Sequence, residues 1–116
     1  MKTFKNLQEE LAGLDRHVDD LLKHFNKIGA KERTKYTFVK SVGPKYIKIL
    51  VDKPSKSVHA FIDKNTGLMY KPASFNAPAK GARFDLKNSA HLSFVYKNFD
   101  VYGSYLYKRW KLSNNY

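Results

Sequence analysis

The 116-residue sequence contains no cysteine, so a disulfide framework, a thiolate nucleophile and a cysteine-based metal site are all closed to it. A reducing compartment therefore suits the chain. Its uninterrupted apolar runs are short, far below the roughly 20 residues that a membrane-spanning helix needs. The first residues, MKTFKNLQEELAGL, carry charge where a signal peptide would need an apolar stretch, and none is expected. Catalytic signatures are missing too: there is no HExxH, GxSxG or phosphate-loop pattern. The four histidines are scattered, and His17 and His24 stand seven apart, too far for a metal pair one helical turn apart. Asp52 and Asp63 are the acids that could meet across a hairpin, although turn aspartates often coincide by chance. The expectation is a protein without enzymatic activity, cofactor or metal.

Acidic residues are also few, with 10 against 22 basic ones and a formal charge of +12. What the chain does have is a 42% hydrophobic content, enough for a folded core, and a length that suits one compact domain over residues 1–116. Charge is unevenly placed. Residues 1–30 balance five bases against five acids, so the whole excess falls on residues 31–116, together with 15 of the 17 aromatic side chains. Composition thus divides the chain into a neutral N-terminal element and a basic, aromatic body.

The N-terminal element has the clearest pattern. Phe4, Leu7, Leu11, Leu14, Val18, Leu21, Phe25 and Ile28 repeat at spacings of three and four, an unbroken heptad seam. Thr3 is placed to cap a helix over residues 4–28, Lys23 and Lys27 suit its C-terminal end, and Gly29 stands where a left-handed residue would stop it. The seam has two readings: it covers the protein's own sheet, or it joins another copy in a homo-oligomer. Leu22 beside Leu21 widens the stripe toward the first. Glu10 and Asp15 would repel each other in a parallel pair, so a coiled coil here would be antiparallel.

The body reads as an α+β meander of three to five antiparallel strands. Residues 35–40 form one, and residues 46–51 a second, with Ile47, Ile49 and Val51 on one face and Tyr46, Lys48 and Leu50 on the other. Residues 57–62 form a third, with Val58, Ala60 and Ile62 together and His59 and Phe61 beside Tyr46 and Lys48. Asp63-Lys64-Asn65-Thr66-Gly67 carries the Asp start and Gly end of a hairpin with a glycine bulge, returning through residues 68–71. Residues 72–83 lose all period. A short helix near 89–96 is expected, capped by Ser89, with Leu92 and Val95 facing inward. Residues 101–111 could add one more strand.

Lysine and arginine neutralise phosphate, and exposed aromatic rings stack on unpaired bases. Two segments interleave both types. In the first, Tyr70, Lys71, Phe75, Lys80, Arg83 and Lys87 line an irregular stretch. In the second, Lys108, Arg109 and Trp110 follow Tyr105 and Tyr107. Nucleic-acid binding through these residues is the leading reading, with Lys71, Lys80, Arg83 and Lys87 on phosphate and Tyr70, Phe75 and Trp110 stacking. Against it, aromatics in a small domain usually fill the core and lysines are often only a solvated face. Lysine also greatly outnumbers arginine, the better phosphate fork. The alternative is a protein partner, with Leu7, Leu11, Leu14, Val18, Leu21 and Phe25 driving assembly or packing.

Residues 45–84 carry a resemblance. Lys45-Tyr46-Ile47-Lys48-Ile49 is followed by Val58-His59-Ala60-Phe61-Ile62-Asp63-Lys64-Asn65-Thr66-Gly67, then by Tyr70-Lys71-Pro72-Ala73-Ser74-Phe75 and Ala77-Pro78-Ala79-Lys80-Gly81-Ala82-Arg83. The run resembles small proteins encoded by tailed bacteriophages, which share a VxxFVDKxTGxVYKPASWxAPAKxxR pattern and a Tyr-Gly-containing C-terminal stretch, here Tyr102-Gly103-Ser104-Tyr105-Leu106-Tyr107. Phe75 stands where those proteins often show Trp, and the heptad helix lies outside the resemblance. That family has no activity to carry over. The resemblance implies a phage-encoded accessory protein, found in the bacterial host cytoplasm or the virion, with a virion or host protein as the alternative partner. It also draws attention to residues 71–83, its most distinctive part.

Overall fold

The computed structural model describes residues 4–107, with side chains from residue 13 onward. The chain runs as helix α1 (Phe4–Gly29), strands β1 (Thr37–Val42), β2 (Tyr46–Lys53), β3 (Ser57–Asp63), β4 (Leu68–Tyr70) and β5 (Phe84–Asp85), then helix α2 (Ser89–Asn98). A 3-10 turn over Ser104–Leu106 follows. The five strands form one antiparallel sheet in chain order, giving the expected α+β arrangement.

The heptad seam packs inward. Leu14, Val18, Leu21 and Phe25 are at most 2% exposed and share one core with Phe38, Ile47, Ile49, Ala60, Ile62 and Met69. Of the predicted seam, Ile28 is half-buried against the same core, and the side chains of Phe4, Leu7 and Leu11 lie outside the described residues. Asn26 fastens the helix to β1: its amide donates to the Phe38 carbonyl at 3.0 Å and its oxygen accepts from the Phe38 N–H at 2.7 Å, as a neighbouring strand would. The end of α1 departs from expectation. Gly29 is not left-handed; it is glycine because a Cβ there would lie 2.3 Å from the Tyr36 carbonyl oxygen, where the chain folds back.

Helix α2 lies on the same side of the sheet. His24 donates to the Tyr96 carbonyl at 2.9 Å, and Phe25 stacks on Phe99 at 3.9 Å between ring centroids. Asn88, one residue before the expected Ser89, caps it by accepting from the Ala90 and His91 N–H groups. His91 and Val95 are its buried residues, while Leu92 is half-buried.

The Asp63–Gly67 turn forms as its sequence predicts. Gly67 takes φ +75°, its N–H donates to the Asp63 carbonyl, and the Asp63 carboxylate accepts from Asn65 and Thr66. Strand β5 was not expected; it is two residues long and pairs with Leu68 and Met69. The described part of the predicted strand at 101–111 is instead turn and 3-10 backbone that buries Val101, Tyr105 and Leu106.

Strand β3 carries the main correction. Leu50 pairs with Val58 and Ile49 with Ala60, so His59 is an extra residue in the ladder. The bulge swings His59 to the helix side, among Phe25, Phe38 and Phe99, and puts Val58 opposite Leu50 on the other face.

Candidate nucleic-acid interface

Both helices cover one face of the sheet, so strand alternation presents Val39, Tyr46, Lys48, Leu50, Phe61 and Tyr70 to the other. Tyr46 meets the buried ring of Phe61 edge-on at 5.7 Å and that of Tyr70 at 6.4 Å. Phe61 therefore stands beside Tyr46 and Lys48 as expected, whereas His59 does not.

Most of residues 72–83 is irregular backbone, as expected, but residues 72–78 are organised within it. They form a small hairpin closed by a Pro72–Pro78 bridge, with the Ala73 and Ser74 N–H groups donating to the Ala77 carbonyl and Ala79 N–H to the Lys71 carbonyl. The sequence hid this pairing because two prolines and two alanines among seven residues give no alternation to read. The hairpin leans over the open face, so that Phe75 and Asn76 both reach Lys48. The Lys48 ammonium lies 4.6 Å from the Phe75 ring centroid and 5.8 Å from that of Phe61, and donates to the Asn76 side-chain oxygen at 3.4 Å. Phe75 keeps 54% of its surface exposed. Lys45 sits 5.3 Å from the Tyr46 ring, and Lys71 lies 4.5 Å from the ring of exposed Tyr107.

Of the predicted binding residues, Tyr70, Lys71 and Phe75 gather on or beside this face, and Lys80 is exposed at the base of the hairpin. Lys87 is engaged elsewhere: its ammonium donates to the Thr66 carbonyl and, at 3.0 Å, to Asp85. Arg83 is half-buried, and its Nε finds no hydrogen-bond partner among the described residues. Lys108, Arg109 and Trp110 lie outside the described residues. Tyr107, from the second predicted segment, lies at this site, whereas sequence reasoning passes over Lys45 and Lys56 as binding residues. The alternation Lys45-Tyr46-Ile47-Lys48 could have exposed the first; nothing local marks Lys56.

Three adjoining depressions meet around the start of β3. One of about 150 Å³ lies among Val39, Leu50 and Phe75, and one of about 300 Å³ between Lys56 and the 72–75 hairpin arm. A third, of about 280 Å³, opens beside the β2–β3 turn. Ser57 lines all three. The Asp52–Asp63 pair does not form: Asp63 sits opposite Tyr46 at the start of β2, while Asp52 is near its end. No group of three or more metal-ligating side chains converges among the described residues. No described helix is long and apolar enough to cross a membrane.

Residues 2–108 match a family of unknown function (DUF7717), to which the chain therefore belongs. No curated protein and no solved structure matches it.

Proposed function

Starting from membership in a family that brings no activity with it, we propose that the protein binds single-stranded nucleic acid through the open face of its sheet. The carrying observation is the Lys48 ammonium held between the Phe61 and Phe75 rings on a face that no described helix covers. An exposed ring offers its face to an unpaired base, and a lysine beside it meets the adjoining phosphate. A sheet face with rings standing on it suits a splayed single strand rather than a duplex groove. The protein acts without catalysing a reaction. The resemblance to tailed-phage proteins supports a role in an infected bacterium, in the host cytoplasm or the virion.

The test is fluorescence anisotropy with labelled oligonucleotides, single-stranded and duplex, at ~0.15 M salt, where phosphate contacts still hold. The expected outcome is preference for the single strand, with Phe75→Ala weakening it about 5- to 100-fold, the range for one lost stacking ring. No binding, or stronger binding to the duplex, would overturn the proposal. One observation favours a protein partner instead: Val39 and Val42 on edge strand β1 are 43% and 57% exposed. Capture of a host or virion protein, abolished by Val39→Lys, would support that second reading.

A further inference from the structure

We propose that the cleft beside the β2–β3 turn receives a single unpaired nucleobase, which it takes from the strand held on the sheet face. In that respect the inference rests on the function proposed above. The cleft, about 280 Å³, lies at the small end of ligand pockets and suits one planar ring. Tyr36, Tyr102 and Tyr107 wall it, and His59 and Gly103 also border it. Tyr102 stands edge-on to Tyr36 at 5.9 Å between centroids, with their side chains hydrogen-bonded, and is 73% exposed, which leaves ring surface open for stacking.

The chemistry at the base of the cleft selects for a ring over an anion. His59 Nε2 and the Tyr105 hydroxyl are 2.8 Å apart, and Tyr105 is fully buried. The buried hydroxyl is satisfied when its O–H donates to Nε2, and the ring's proton then sits on Nδ1. Nδ1 lies next to Gly103, where a Cβ would come within 3.7 Å of it and 3.5 Å of Cε1. Gly103 has φ +77°, so the turn calls for glycine, while a Cβ there would make only ordinary contact with this ring edge. Burial pushes the His59 pKa down to about 4, although Asp100 nearby pulls it up, so the ring is neutral at physiological pH. A neutral N–H donor suits a base carbonyl or ring nitrogen and attracts a phosphate poorly. The phosphate has its own cation at the mouth, since Lys71 lies 4.5 Å from the Tyr107 ring. Ser57, Val58 and Pro72 line both this cleft and the depression leading to Phe75, giving one path from the sheet face.

The test is a two-dimensional NMR titration of the full chain with thymidine monophosphate and, separately, with ribose 5-phosphate, which has no base. Shifts at Gly103, Val58 and the His59 ring with the nucleotide alone are expected. Tyr102→Ala, at an exposed position, should weaken them about 5- to 100-fold, the value of one stacking ring. Equal shifts with ribose 5-phosphate, or none at Gly103 with the nucleotide, would overturn the proposal. An oligonucleotide that binds the sheet face without moving Gly103 would sink the cleft and leave the sheet-face reading standing. Nucleotide shifts in the cleft without oligonucleotide binding would do the reverse.

Discussion

His59 shows how much one residue's placement can alter. By alternation it belongs on the open face with Phe61, yet the bulge at Ile49–Leu50 turns it into an aromatic nest on the helix side. Its neutral form fits there; its charged form does not. With a folded pKa of about 4 against an ordinary value of 6.5, the sign follows directly. Above pH ~6.5 both folded and unfolded chains hold the ring neutral, and no stability is at stake. Between ~6.5 and ~4 the unfolded chain takes a proton that the folded one refuses, so stability falls by about 1.4 kcal/mol per pH unit. The loss reaches on the order of 3 kcal/mol and levels off below pH ~4. An NMR titration of the His59 ring in the folded protein should show a midpoint near 4; a midpoint near 6.5 would refute its burial.

Among the elements, α1 was legible because eight apolar residues at spacings of three and four outweigh every local accident, including Gly13 in its middle. The β3–β4 turn was legible for a different reason, since its Asp and Gly perform set backbone tasks. What escaped depends on distant chain. Gly29 ends α1 as expected, but not by a left-handed turn: the carbonyl that demands glycine belongs to Tyr36. β5 is too short to show a period, and only Leu68 and Met69 make it a strand. The 72–78 hairpin is held by backbone bonds across prolines, so its side chains gave no sign. At the candidate site, Phe75 and Lys71 could be named from their types alone, whereas the Lys48–Phe75 contact joins residues far apart in the chain. Burial of the seam also decides what its mutation does. Leu21, 1% exposed, sits in the core beneath the sheet. Leu21→Ala should therefore cost about 2–5 kcal/mol in urea unfolding, whatever the protein concentration. A cost that grows on dilution would instead make the seam an interface between copies.

The whole molecule separates charge from packing. Helix α1 belongs to the balanced first 30 residues, and its buried side fills the core, so the net +12 lies on the body that carries the open face. Five lysines border that face and its hairpin: Lys45, Lys48, Lys56, Lys71 and Lys80. If each meets a phosphate, the logarithm of single-strand affinity should fall against the logarithm of salt concentration with a slope of up to about −3.5, at about −0.7 per contact. Position, rather than total charge, should govern that slope. Lys45→Ala combined with Lys56→Ala should flatten it by about 1.4, whereas Lys31→Ala with Lys97→Ala removes equal charge from elsewhere and should leave it unchanged. Lys31 follows the end of α1 and Lys97 lies on α2, on the side of the sheet away from the rings. Equal flattening by both pairs would mean that the protein attracts nucleic acid as a diffuse cation and that the ring-bearing face has no special part in binding.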